Sequence, residues 1–189
     1  MVKKLTINPL EPFLTRPHEK LHLAEISRLL NEPHPTVRQW LNSLEKKGVL
    51  KKSNQGRLTL YSLNMENPSI VNYLIIAEKN KIIRKCEQWL VLGEIVNHII
   101  ANFNENIKVL IFGSAAESFN SANDIDMLIV GKQDLKGLSN ISKRLNKRIH
   151  PIKINNLNKV SKALRSEIIK KHLLIKWSED FVKWLMWQQ

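Results

Sequence analysis

Residues 111–130 read IFGSAAESFNSANDIDMLIV, and they decide what kind of fold the chain builds. Two short apolar runs, 109–112 (VLIF) and 127–130 (MLIV), have the length and β-branched content of buried strands. One ends in Gly113-Ser114; the other is preceded by Asp124-Ile125-Asp126. Side chains alternate along a strand, so Asp124 and Asp126 project from one face while Ile125 packs on the other. Two carboxylates so close repel each other and are tolerated chiefly where a cation lies between them or solvent reaches them. Hard oxygen donors at a strand end suit Mg²⁺, which keeps positions open for water and substrate phosphates. Gly113 lets a phosphate approach the backbone, and Ser114 is expected to open a short helix whose amides and hydroxyl hold phosphate oxygens. The stretch predicts a metal-triphosphate site between two strands.

Outward from there, 189 residues admit one compact unit or two small ones, and a hydrophobic fraction of 43% supports a packed core rather than disorder. Thirty Lys and Arg against 17 Asp and Glu give a formal charge of +13, which favours a polyanionic partner such as DNA, RNA or nucleotide phosphates. Cys86 is the single cysteine; it excludes an internal disulfide and a cysteine-rich zinc site and fits a reducing, cytoplasmic setting. No apolar run reaches the roughly 18 residues of a membrane span, so a soluble protein with no membrane partner is expected.

The pattern changes character near Asn67-Pro68. Before it, LHLAEISRLL puts Leu23, Ile26 and Leu30 on one helical face and stops at NEPHP. Pro35 suits the first turn of a second helix with Val37, Trp40, Leu41 and Leu44 at helical spacing, and Gly48 ends it. VLKKS, a turn at Asn54-Gln55-Gly56 and RLTLYSL then read as a β-hairpin. This succession over residues 5–66 resembles a winged helix-turn-helix, most closely in TVRQWLNSLEKKGVLKK. The resemblance implies that the second helix lies in the major groove of duplex DNA, with Thr36, Arg38, Gln39, Asn42, Ser43 and Lys46 on its reading face and Lys51, Lys52 and Arg57 on the wing. Eleven basic and six acidic side chains in residues 1–66 agree with such a partner. One small module makes few phosphate contacts, so a homodimer is expected.

Residues 67–104 read as connecting helices, with Trp89, Val96 and Ile99 or Ile100 as core positions. FGS, Asp124 ten positions after Ser114, and DIDMLIV resemble the signature of the minimal nucleotidyltransferases of the DNA polymerase β-like superfamily. The resemblance covers about residues 105–155, with an extension to the end of the chain left open. It implies that Gly113 and Ser114 hold the β- and γ-phosphates of an NTP, and that Asp124 and Asp126 are the catalytic carboxylates and hold Mg²⁺. NMP is then transferred to an acceptor and pyrophosphate leaves.

Two departures from that pattern bear on catalysis. Members usually carry a third carboxylate on a following strand, but residues 148–155 contain no Asp or Glu, and His150 and Ile152 stand where an acid is expected. Glu117 and Ser118 stand where a basic residue and a glycine are common, and a glutamate there repels a triphosphate. Transfer is therefore expected to be slow or absent. Farther on, LKGLSNISKRLNKR reads as a basic helix, with Lys136, Lys143, Arg144, Lys147 and Arg148 on a solvated face or attracting a nucleotide or RNA. The tail reads as a short strand and a helix whose Phe181, Trp184, Leu185 and Trp187 close the core or a dimer interface.

The sequence thus predicts an α/β (α+β) protein: a winged helix-turn-helix over 1–66, connecting helices over 67–104, and a nucleotidyltransferase-like mixed sheet with helices over 105–189. The expected function is a DNA-binding protein with a Mg-NTP site, of the antitoxin type that transfers NMP to a protein acceptor such as a toxin. The alternative is a non-enzymatic transcriptional regulator whose degenerate second domain binds nucleotide or dimerises.

Overall fold

The first helical turns form where backbone donors find local partners. α1 (Glu11–Leu14) carries Pro12 in its opening turn, where a missing N–H is harmless, and buries Phe13 and Leu14. α2 (Leu23–Leu30) follows the two-residue strand β1 (Leu21–His22); the ring of His22 accepts the N–H of Glu25, and Asn31 ends the helix in the left-handed region. In α3 (His34–Lys46), Val37 and Leu41 are buried, whereas Trp40 and Leu44, expected in the core, are half-buried. Gly48 adopts φ 67° just past that helix, a conformation that costs a glycine little.

A hairpin of β2 (Leu50–Gln55) and β3 (Leu58–Leu63) comes next, and β1 joins β3 to give an antiparallel sheet of order β1-β3-β2. Gln55 lies opposite Leu58, so the turn is Gly56-Arg57 and not Asn54-Gln55-Gly56. Two polar residues extend the exposed strand because their backbone groups pair with β3, which outweighs their weak strand propensity. Arg57 consequently stands in the turn itself.

The computed structural model describes residues 8–187, so the ends of the expected 1–66 and 105–189 segments, residues 1–7 and 188–189, lie outside the described residues. The chain divides into two compact units, residues 1–80 and 81–189, and the division falls inside α4 (Ile70–Gln88). α5 (Leu90–Asn102) follows a break at Trp89, whose extended backbone interrupts the helical run. The Trp89 indole is buried and stacks on Phe119 at 6.1 Å.

The second unit is built on a four-stranded mixed sheet. Its remaining elements are β4 (Lys108–Phe112), α6 (Ser114–Glu117), β5 (Asp124–Val130), α7 (Lys136–Leu145), β6 (Arg148–Ile154), α8 (Lys162–Lys170), β7 (His172–Lys176) and α9 (Ser178–Trp187). The strand order is β6-β5-β4-β7; α7 makes the crossover between the parallel pair β5 and β6, and the other pairs are antiparallel. Val109, Ile111, Ile125, Met127, Ile129 and Leu173 turn one face of the sheet to Leu92, Ile95 and Ile99 of α5 and to Leu138 and Ile141 of α7. Alternation gives Leu110, Phe112, Leu128 and Leu174 to the opposite face, where they too are buried, and α9 packs against β7 with Phe181, Trp184 and Leu185 buried.

Arg144 of the basic helix is exposed, in keeping with a solvated face, and Lys147 just past it makes contacts within the fold. Arg144 pairs with Glu94 at 2.7 Å, and Lys147 Nζ donates to the carbonyls of Ala122 at 2.5 Å and Asn120 at 3.4 Å, tying down the loop before β5. Among the described residues no helix is long and apolar enough to cross a membrane.

Candidate functional site

Antiparallel pairing of β4 and β5 sets the last residue of one strand beside the first residues of the other, with Phe112 opposite Asp126. Gly113, the next residue, therefore meets the Asp126 carboxylate although Asp126 lies 13 positions on. Its backbone (φ 72°, ψ −149°) is one that side chains rarely adopt, and a Cβ there would lie 3.1 Å from Asp126 Oδ2. The Gly113 N–H donates to the carbonyl of Lys171 at 3.2 Å, so the turn is anchored to the start of β7. Ser114 is the first residue of α6, which has only four residues, too few for a helix dipole of much consequence.

Asp124 and Asp126 are in β5 proper, on one face, with 40% and 35% of their side chains exposed. Burial, then the charge of Asp124, raises the Asp126 pKa above its ordinary value; the charge and hydrogen bond of His150 oppose the rise, and Glu167 adds to it. β6 runs parallel with His150 opposite Asp126, and its Nδ1 lies 3.4 Å from Asp124 Oδ2 and 3.7 Å from Asp126 Oδ1. Of the two positions considered for a third acid, His150 is thus the one that reaches the carboxylates. Ile152 pairs with Leu128 farther along the strand and is 37% exposed.

Glu117 does not present a bare negative charge. Lys171 pairs with its carboxylate at 2.5 Å, and Lys85 Nζ donates to its carbonyl at 2.9 Å. The expected repulsion of a triphosphate is reduced by a cation 54 residues away in sequence. Lys171 and Glu167 were not legible as site neighbours, because α8 and β7 carry no motif that ties them to Gly113.

The donor set fits a hard divalent ion in a limited way. Among the described residues no three His, Cys, Asp or Glu side chains form a group that could hold a metal, so the protein offers two carboxylates. That is the provision Mg²⁺ commonly receives, its other positions being filled by water and phosphate oxygens.

In the first unit, Arg38, Gln39, Ser43 and Lys46 are exposed on one side of α3, while Thr36 and Asn42 are half-buried. Asn42 Oδ1 accepts from the Tyr61 hydroxyl at 3.4 Å. Lys51, Lys52 and Arg57 are exposed, and Lys51 pairs with Glu66 at 2.9 Å.

No curated protein and no solved structure matches the chain. Residues 94–180, from α5 into α9, match the model of the Polbeta family, described as Polymerase beta, Nucleotidyltransferase.

Proposed function

We propose that the second unit binds an NTP with Mg²⁺ at Gly113, Ser114, Asp124 and Asp126, and that the first unit is a winged helix-turn-helix that brings it to duplex DNA. The observation that carries the reading is the meeting of the Gly113-Ser114 turn with two half-exposed carboxylates at the mouth of β4 and β5. Domains of the polymerase β type generally use divalent metal ions. Bound at Asp124 and Asp126, the ion would neutralise phosphate charge and polarise the reacting oxygens. Gly113 and Ser114 would supply backbone and hydroxyl donors to the β- and γ-phosphates. In transfer, an acceptor hydroxyl attacks the α-phosphorus, the bond to the bridging oxygen of the β-phosphate breaks, pyrophosphate leaves, and the hydroxyl proton passes to a base. His150 is the β6 side chain within reach of both carboxylates for that proton. A protein acceptor such as a toxin, and a homodimer that doubles the DNA contacts, complete the proposal.

A second reading has its own support. His150 occupies the β6 position opposite Asp126 where an acid would favour transfer, and a regulator that binds nucleotide without transferring it needs no such acid. Calorimetry of the full chain with ATP, GTP, CTP and UTP, with and without Mg²⁺, tests the shared part. Saturable Mg²⁺-dependent binding that disappears in Asp124→Asn/Asp126→Asn supports it, and absence of binding removes it. Labelled NTP incubated with lysate then separates transferase from regulator.

A further inference from the structure

A cleft in the same unit has a volume of about 430 Å³, within the roughly 300–1,000 Å³ range of small-molecule sites. Arg165 and Lys162 of α8 and Trp184 and Trp187 of α9 line it; none of the Mg-NTP candidates does. Its lining carries two cations and no acid.

Each of these side chains has a distinct state. Trp184 is buried, and the Arg165 guanidinium carbon lies 5.5 Å from its ring centroid. Arg165 Nη2 donates to the carbonyls of Trp184 at 2.9 Å and Leu185 at 3.2 Å. Its Nε is buried without an acceptor, and among the described residues no carboxylate pairs with it. Partial dipoles at a helix end offset only part of a full positive charge, and burial lowers the guanidinium pKa, the mark of a cation short of compensation. Trp187, in contrast, leaves 43% of its surface exposed although its neighbours on α9 close the core. Lys162 stands exposed at the first position of α8.

An exposed indole beside two cations with no carboxylate in the lining is complementary to a ligand that has a flat ring at one end and negative charge at the other. We infer that this cleft binds a nucleotide unit, its base stacked on Trp187 and its phosphate facing Lys162 and Arg165. The unit is supplied either as a free mononucleotide or as one residue of a single strand. This goes beyond the Mg-NTP reading, since it needs neither the metal nor Asp124 and Asp126.

The experiment is calorimetry of the full-length Asp124→Asn/Asp126→Asn protein without Mg²⁺, so that binding at the other site does not contribute and its failure there is a separate result. AMP and a single-stranded tetranucleotide are titrated in parallel arms. Saturable binding is expected, weakened about tenfold by Trp187→Ala and largely kept by Trp187→Phe, which preserves a stacking ring. Lys162→Ala is expected to weaken binding and flatten its salt dependence. Binding in the AMP arm identifies the free nucleotide as ligand; binding in the tetranucleotide arm alone identifies a strand. No binding in either arm, or binding unchanged by Trp187→Ala and Lys162→Ala, overturns the inference.

Discussion

Replacing both Asp124 and Asp126 with asparagine is expected to stabilise the metal-free protein while removing its Mg²⁺-dependent NTP binding. Residues two apart on a strand repeat at about 6.6 Å, and two unit charges at that separation repel by about 0.6 kcal/mol in water and about 2.5 kcal/mol at an effective dielectric of 20. With 40% and 35% of the side chains exposed, the pair sits nearer the water limit, so the expected gain is roughly 0.5–1 kcal/mol, trimmed by the lost contact to His150. The pH dependence fixes the sign. Because the Asp126 pKa is raised in the folded state, chiefly by burial and then by Asp124, the native protein holds that proton more tightly than the unfolded chain does. Stability from this group is therefore lost as pH rises from the ordinary value of 3.8 through the raised one, and the full penalty is present at neutral pH. Urea unfolding of wild type and variant at pH 7 and at pH values stepped down toward 4 measures the difference, which should shrink as the pH falls. A variant less stable at pH 7, or a difference that does not change with pH, refutes the electrostatic account. Retained Mg²⁺-dependent NTP binding refutes the assignment of the carboxylates.

Gly113→Ala is expected to lower stability by about 1–3 kcal/mol, since it forces a side chain into a rare backbone region with its Cβ 3.1 Å from Asp126 Oδ2; thermal unfolding reads it. Lys171→Ala should change stability by less than about 1 kcal/mol, because the pair with Glu117 is exposed, yet weaken NTP binding by freeing the Glu117 charge. Adding Glu117→Gln should restore that binding in calorimetry. Lys51→Ala/Lys52→Ala/Arg57→Ala should reduce duplex DNA affinity about equally across sequences and make its salt dependence shallower, with Gln39→Ala shifting sequence preference instead, both read by anisotropy. His150→Asp should raise NMP transfer from labelled NTP if an acid in register with Asp126 is what catalysis lacks, and it is a sharper probe than an acid at Ile152.

The strands flanking Gly113 and the aspartates were legible because three signals coincide there: apolar runs too short for helices, a glycine where the chain must turn, and period-two alternation that separates Asp124 and Asp126 from Ile125. The helix pair around Asn31 and Pro35 was legible from its breakers. Hairpin register was not, since Asn54 and Gln55 have turn chemistry but pair with β3 across an exposed surface. Position 150 could be named as the place for an acid, but only the parallel register of β5 and β6 shows that its side chain reaches both carboxylates. Glu167 and Lys171 were beyond reach for a plainer reason: β7 returns to pair with β4 after 59 intervening residues, and no local pattern encodes that long closure.

That closure bears on how the carboxylate pair is tolerated at all. Within the first contacts of Asp124 and Asp126, sequence neighbours supply mostly the backbone turn, whereas the polar partners come from segments distant in sequence: His150 of β6 for the aspartates, and Lys171, just before β7, for Glu117. The imidazole contact is long, and its exposed partners remain open to solvent, so it moderates the Asp126 shift without cancelling it. An arrangement built only for stability would gain by losing one carboxylate, since each surface pair is worth at most about 1 kcal/mol and the like-charge repulsion is of similar size. Two acids kept side by side at the mouth of a buried sheet, with a glycine held in a rare conformation against them, are a structural expense that a bound cation would recover. Lys171 belongs to the same device: its carbonyl fixes the Gly113 amide while its ammonium neutralises Glu117, so one residue both shapes the turn and clears negative charge from its approach.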